Sequence, residues 1–115
     1  WATGCALFAT RRVFESVGLL DEEFRLYCED VDFCLRARDA GFKIVYVPSA
    51  KVWHKVSAAM GGNLSRQKLV RKWRALRRLV RKHVPNAVVR VLALTDFVIT
   101  EPVRVVVAAL RGRLR

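Results

Sequence analysis

Sulfur, proline and glycine are sparse in this chain, with three cysteines, one methionine, three prolines and six glycines in 115 residues. Cys5, Cys28 and Cys34 are odd in number and show no CxxC spacing. That argues against a disulfide framework or a zinc site, and for buried free thiols in a reducing compartment. No run of about 18 uncharged apolar residues is present. The apolar tracts around 87–99 and 102–110 are broken by Arg90, Asp96 and Arg104, which disfavours a membrane-spanning helix. A leader peptide, an internal repeat and a low-complexity segment are likewise missing from the pattern. Acidic residues are scarce in one half only. Residues 64–115 carry 14 basic and 2 acidic side chains, whereas residues 1–63 carry 8 of each, so the formal net charge of +12 sits wholly in the second half. Charge confined in this way suits an anionic partner: a lipid surface, a nucleic acid or a phosphorylated substrate.

What is present reads as alternating short elements. Gly4–Ala9 has the composition of a short buried strand. Thr10 precedes a helix over Arg11–Val17 that ends at Gly18. Residues 19–24 form a loop, and a second helix runs from Glu29 to Ala40 with Gly41 in the C-terminal capping position. Phe42–Val47 reads as a strand stopped by Pro48, and Ala50–Trp53 as another that ends at His54. Alternation of this kind predicts an α/β layer fold. Residues 58–65, with Gly61-Gly62-Asn63, read as a flexible loop. Ser65 then caps a long helix to His83, whose apolar positions Leu69, Trp73, Leu76 and Val80 recur at steps of three and four while Arg and Lys fill the remaining face. Val84-Pro85-Asn86 breaks it, and 87–110 is predicted to be helical. The organisation expected is therefore residues 1–60, a basic amphipathic helix over 61–85, and an amphipathic helical tail over 86–115.

The acidic cluster Glu29-Asp30-Val31-Asp32 is the most informative chemistry. On a helix, Asp30 shares a face with Phe33, Cys34 and Ala37, while Asp32 lies with Arg36 and Asp39 and can pair with Arg36 four residues on, at the surface. Asp30 is thus a carboxylate at a helix start on the apolar side. On helix logic it suits a helix cap or dipole partner first; the sharper reading is a general base at the rim of a cleft. Asp30-Val31-Asp32 also spells D-x-D, but it opens an amphipathic helix instead of following a hydrophobic strand, so a nucleotide-sugar metal site is not read here. His54, at a strand end beside Trp53, is either a surface residue or a metal ligand.

Taken in order, these stretches resemble the family-2 glycosyltransferases, particularly their rhamnosyl- and galactofuranosyl-transferase-like branch. They are Thr3-Gly4-Cys5-Ala6-Leu7-Phe8, the run from Arg12 to Phe24, Tyr27-Cys28-Glu29-Asp30-Val31-Asp32-Phe33-Cys34-Leu35-Arg36, Ala40-Gly41-Phe42-Lys43-Ile44, Val47-Pro48 and Trp53-His54-Lys55. Further on, Arg74 and Arg81-Lys82-His83-Val84-Pro85 resemble the family's Arg-Asn helix and its basic end. The resemblance covers residues 2–85. It implies the C-terminal, acceptor-side part of an inverting GT-A (Rossmann-like) fold followed by basic amphipathic helices. It implies that Asp30 takes the proton of the acceptor hydroxyl, that Glu29 and Arg74 help bind the acceptor, and that Thr3, Gly4 and Trp53 line the sugar pocket. His54 would complete a divalent-metal site, Mn²⁺ or Mg²⁺, on the donor diphosphate.

The implied partners are a nucleotide-sugar donor and a saccharide or lipid-linked acceptor. The N-terminal half that holds the donor is expected to lie outside this chain. Two positions depart from the family pattern: Ala75 stands where Asn is usual, and Ala59 where Ser is common. The basic second half is expected on an anionic membrane, at the cytoplasmic face. Nucleic acid is not expected, because no nucleic-acid motif accompanies the charge. The competing reading is a basic membrane- or nucleic-acid-binding module without catalysis.

Overall fold

A computed structural model of the chain describes residues 1–54 and 66–113, with side chains placed for residues 1–54 and 67–102. It divides into two compact units, Trp1–Lys55 and Val56–Arg115.

The first unit is built on two helices, α1 (Arg11–Val17) and α2 (Glu29–Asp39). Helix α1 ends where Gly18 adopts φ 76° and its N–H reaches the Phe14 carbonyl at 2.8 Å, a conformation that costs a glycine little. Helix α2 ends on a paired wrap. Gly41, at φ 86°, donates to the Arg38 carbonyl (2.9 Å), and Phe42 donates to the Ala37 carbonyl (3.0 Å). These two bonds satisfy last-turn carbonyls that have no partner inside the helix. The core is small: Phe33, Cys34 and Ala37 from α2, and Phe24 from the preceding loop. An Asx turn presents Phe24, with Asp21 Oδ1 accepting the Glu23 amide at 2.9 Å and the Asp21 carbonyl accepting the Phe24 amide at 2.9 Å. Phe14 of α1 meets Phe33 with ring centroids 5.3 Å apart. Each fully buried Phe contributes about 1.5–3 kcal/mol.

A polar contact organises the same core. Asp32 is fully buried, at 0% exposure, and its Oδ2 accepts from Arg36 Nε at 2.8 Å. The Arg36 fork also donates to the Val17 carbonyl and, at 2.8 Å, to the Leu19 carbonyl. Its guanidinium lies 5.5 Å from the Phe33 ring centroid. The i,i+4 pairing is the one the sequence predicts. The surface location is not: α2 turns the Asp32 side inward, because the two carbonyls leaving α1 complete the set of acceptors that Arg36 needs.

The second unit is a pair of helices, α3 (Arg66–His83) and α4 (Ala87–Arg113). The break at Val84-Pro85-Asn86 falls where the sequence places it, and Asn86 caps α4 through Oδ1, which accepts the Val88 and Val89 amides at 2.9 and 3.2 Å. So short a connection makes the helices antiparallel neighbours. Trp73 stacks on Phe97 at 5.9 Å, Lys72 Nζ reaches Glu101 Oε2 at 3.3 Å, and Ala75 and Val80 are buried. Arg90 Nε closes the turn onto the Val84 carbonyl. Of the expected apolar stripe of α3, Trp73 meets α4 and Val80 is buried, while Leu69 and Leu76 are half-buried. Ala75 is buried, where an amide in its place would need partners. The Ser65 cap, the 58–65 loop and Ala59 lie outside the described residues.

The α/β expectation is overturned. Among the described residues every regular element is helical and no strand occurs. The same finding removes the GT-A, Rossmann-like assignment. Gly4–Ala6 forms a single 3-10 turn, closed by the Ala6 amide on the Thr3 carbonyl at 3.2 Å. Residues 42–47 and 50–53 take no regular form, and Ile44, Val45, Tyr46 and Val47 are exposed. Composition made these stretches look like strands. A strand, however, pairs its backbone groups with a neighbouring strand, and the described residues supply none. The thiols also divide: Cys34 is buried, Cys28 half-buried and Cys5 exposed.

Removing one partner of the buried pair leaves a charge uncompensated, a change that typically costs about 3–5 kcal/mol. Arg36→Met is therefore expected to lower the thermal midpoint of the first unit sharply. Arg38→Met, which removes an exposed contact to Asp39 (3.2 Å), is expected to leave it nearly unchanged. Equal midpoints for the two variants by circular dichroism would contradict the role given to Arg36.

Candidate functional site: the acidic entry to the second helix

The chain enters α2 through a strained corner. Tyr27 (φ 72°) and Cys28 (φ 67°) both adopt the left-handed conformation, which costs a side-chain-bearing residue about 1–2 kcal/mol. The corner lets the Cys28 carbonyl accept the Asp32 amide at 2.8 Å, the first bond of the helix, and so puts Glu29, Asp30 and Asp32 in one turn.

The three acids of that turn have three different surroundings. Asp32 is buried on Arg36. Asp30 is half-buried, with both oxygens held by backbone amides: Oδ2 by Gly4 at 2.9 Å and Oδ1 by Val31 at 2.8 Å. Glu29 Oε2 is buried and, among the described residues, accepts no hydrogen bond. A buried carboxylate oxygen with no donor is costly, and it suits an O–H or N–H brought by a ligand. A carboxylate oxygen has two lone pairs, so the amide on each Asp30 oxygen leaves capacity to accept a proton. D-x-D metal binding is not available to Asp30 and Asp32 together, since Asp32 is enclosed by its own partner.

Gly4 and Asp30 are 26 residues apart in sequence and are brought together. The first residues lie along α2, where Cys34 Sγ also contacts the Ala2 carbonyl at 3.8 Å. Thr3 precedes the 3-10 turn in extended conformation, and its side chain makes no capping bond. Trp53 is 92% exposed and His54 is exposed, both in a stretch without regular structure. Arg74 belongs to the second unit and is exposed on α3. Among the described residues no three His, Cys, Asp or Glu side chains gather as a metal site. A single exposed imidazole does not make one, so His54 fits a metal only as one ligand among others supplied from elsewhere. Sequence reasoning missed the Gly4 amide on Asp30 and the left-handed corner. Neither has a local signature, since Tyr27 and Cys28 are not residues that announce positive φ.

An acidic helix entry of this kind, with one carboxylate tethered and a neighbour lacking a donor, suits recognition and deprotonation of a hydroxyl. Curated relatives of the chain include glycosyltransferases, which bears out the resemblance to the family-2 type. One is the N-acetylglucosaminyl-diphospho-decaprenol L-rhamnosyltransferase of Mycobacterium tuberculosis, 43% identical over 61 residues, which are 53% of this chain and 20% of that protein. Another is rhamnosyltransferase WbbL of Escherichia coli, 35% identical over 54 residues, which are 47% of this chain and 20% of that protein. The chain spans about a fifth of the length of these relatives. No family model and no solved structure matches it.

Proposed function

We propose that this chain carries the acceptor-side acid–base machinery of an inverting glycosyltransferase, with Asp30 as the general base. The acceptor hydroxyl oxygen attacks the anomeric carbon of a nucleotide-sugar donor. The bond from that carbon to the diphosphate breaks, the nucleoside diphosphate leaves with the electron pair, and the hydroxyl proton passes to Asp30. Glu29 is the acceptor-binding neighbour. The observation that carries this reading is the division of labour in one helical turn: Asp32 is committed to Arg36, Asp30 is fixed by two amides, and Glu29 Oε2 lacks a donor.

The rhamnosyl names of the relatives support a nucleoside-diphosphate rhamnose as donor and a saccharide or lipid-linked acceptor. Thr3 and Trp53 are proposed at the sugar. The 115 residues alone are proposed to be inactive and to bind donor poorly, as no Gly-rich loop or second acidic pair is present to hold a diphosphate. Asp30→Asn in the full-length gene product is expected to lower turnover by about 10²–10⁴-fold with donor binding retained. Turnover unchanged in Asp30→Asn would remove the base from the mechanism.

A divalent cation, Mn²⁺ or Mg²⁺, is proposed with His54 as one ligand and the others supplied from outside the described residues. Such an ion would supply charge neutralisation to the leaving diphosphate. His54→Ala is expected to raise the Mn²⁺ concentration needed for half-maximal activity, and an unshifted titration would assign His54 to the surface.

The second unit is proposed to rest on an anionic membrane at the cytoplasmic face, in preference to nucleic acid. No helix among the described residues is long and apolar enough to cross a membrane. What supports a peripheral contact is α4, which exposes Val88, Val91, Leu92, Val98 and Ile99 at spacings of three, one, six and one. On a helix these positions form one stripe. Thr95, within it, turns its hydroxyl onto the Leu92 carbonyl at 2.9 Å. Apolar stripes of this kind, on a unit carrying strong positive charge, bind anionic interfaces. Co-sedimentation of the chain with anionic vesicles is expected, with release at high salt and on deletion of 87–115. Indifference to lipid charge, or displacement by stoichiometric DNA duplex, would favour the nucleic-acid reading.

A further inference from the structure

Gly4 is expected from the resemblance to line the sugar pocket. Its observed contact is different. The Gly4 amide donates to Asp30 Oδ2 at 2.9 Å, and a Cβ at Gly4 would lie 3.6 Å from Asp30 Cβ and 3.8 Å from Oδ2, which is ordinary contact. The close approach therefore does not require glycine for space. Nor does the backbone: Gly4 lies outside the left-handed region in which Gly18 and Gly41 sit. What the position supplies is its N–H. Gly4 is the first residue of the 3-10 turn, whose closing bond runs from the Ala6 amide to the Thr3 carbonyl, so the turn itself makes no use of the Gly4 donor.

We propose that the Gly4 amide is a positioning group for the general base, and that its task is to fix the plane of the Asp30 carboxyl towards the acceptor hydroxyl. The inference rests on the general-base reading of Asp30. A carboxylate on one χ1 and one χ2 has two equivalent oxygens and a broad terminal torsion. The Val31 amide holds Oδ1 from within the helix, and the Gly4 amide holds Oδ2 from a segment 26 residues away. With both bonds in place the carboxyl plane is set, and one lone pair on each oxygen keeps a fixed direction. With the Gly4 bond removed, the carboxyl can rotate about χ2 while remaining a carboxylate. The effect belongs in turnover and not in donor binding, because a base contributes in the transition state and a misplacement of about 1 Å costs up to about 10²-fold.

The backbone at this position accepts a residue that lacks the donor. Thr3 is already extended (φ −77°, ψ 142°), the conformation that proline imposes on the residue before it, and the first position of a helical turn accepts proline without loss of an internal bond. Gly4→Pro deletes the N–H and sets its Cδ where that hydrogen faced Asp30 Oδ2, so the carboxyl is both released and turned aside, whereas Gly4→Ala keeps the N–H. In the full-length gene product, assayed with nucleoside-diphosphate rhamnose, Gly4→Pro is expected to lower kcat about 10- to 100-fold with the donor KM unchanged, a deeper loss than in Gly4→Ala, which keeps the N–H. Gly4→Pro in an Asp30→Asn background is expected to give no further loss. Circular dichroism and the thermal midpoint of Gly4→Pro serve as the folding control. In the ¹⁵N-labelled 115-residue chain, the Gly4 amide resonance is expected to shift on Asp30→Asn, a readout independent of activity.

Loss in Gly4→Ala as deep as in Gly4→Pro would overturn the inference and assign Gly4 to packing or to the sugar pocket. So would a rise in donor KM at constant kcat, or a Gly4 amide indifferent to Asp30→Asn. Full turnover in Asp30→Asn would instead defeat the general-base reading on which the inference stands, and it is recognised separately from the Gly4 variants.

Discussion

Arg36 holds the first unit together. Its guanidinium satisfies the buried Asp32 carboxylate, covers the Phe33 ring, and takes up the Val17 and Leu19 carbonyls where the chain leaves α1. A core of four small or aromatic side chains, Phe24, Phe33, Cys34 and Ala37, is too slight to orient two short helices by apolar contact alone. The fork of Arg36 gives that orientation a geometry, because planar, multidentate donation tolerates few arrangements of its acceptors. With α2 fixed against the exit of α1, the first turn of α2 is fixed as well, and Glu29 and Asp30 inherit their positions from it.

The same turn shows how neighbouring identical charges come to different ends. Asp30 and Asp32 are two residues apart and so lie on different sides of the helix. One side meets Arg36 and is closed. The other meets the first residues of the chain, whose Gly4 amide reaches Asp30. The left-handed corner at Tyr27 and Cys28 is what brings the helix start abruptly to this place. Strained backbone of this kind persists where surrounding contacts over-determine it, and such sites often coincide with function. Here the strain lies immediately before the two residues proposed to meet the acceptor.

The helices were legible in the sequence, and the strands were not there to be read. Thr10 with Gly18, Glu29 with Gly41, and Val84-Pro85-Asn86 bracket helices through local stereochemistry, and each bracket falls within a residue or so of the observed bound. Leu69, Trp73, Leu76 and Val80 mark the packed face of α3 by period alone. Phe42–Val47 and Ala50–Trp53 have strand composition, but strand formation is decided by a partner, which composition does not report. Asp32 illustrates the same limit. Its pairing with Arg36 follows from spacing, whereas its burial depends on carbonyls 17 and 19, which arrive through the fold. Of the site, the Glu-Asp pair was visible as chemistry and through resemblance, and the bond from Gly4 was visible through neither.

The central claim is that one carboxylate, Asp30, deprotonates the acceptor during a single displacement at the anomeric carbon. Single displacement inverts that carbon. The most direct measurement is the anomeric configuration of the first-formed product, followed by proton NMR as the full-length gene product transfers sugar from a nucleoside-diphosphate donor. The account predicts a product of configuration opposite to that of the donor from the earliest time points. A product that retains the donor configuration would contradict it, since retention requires a second displacement or a front-side path in which Asp30 is not the base described.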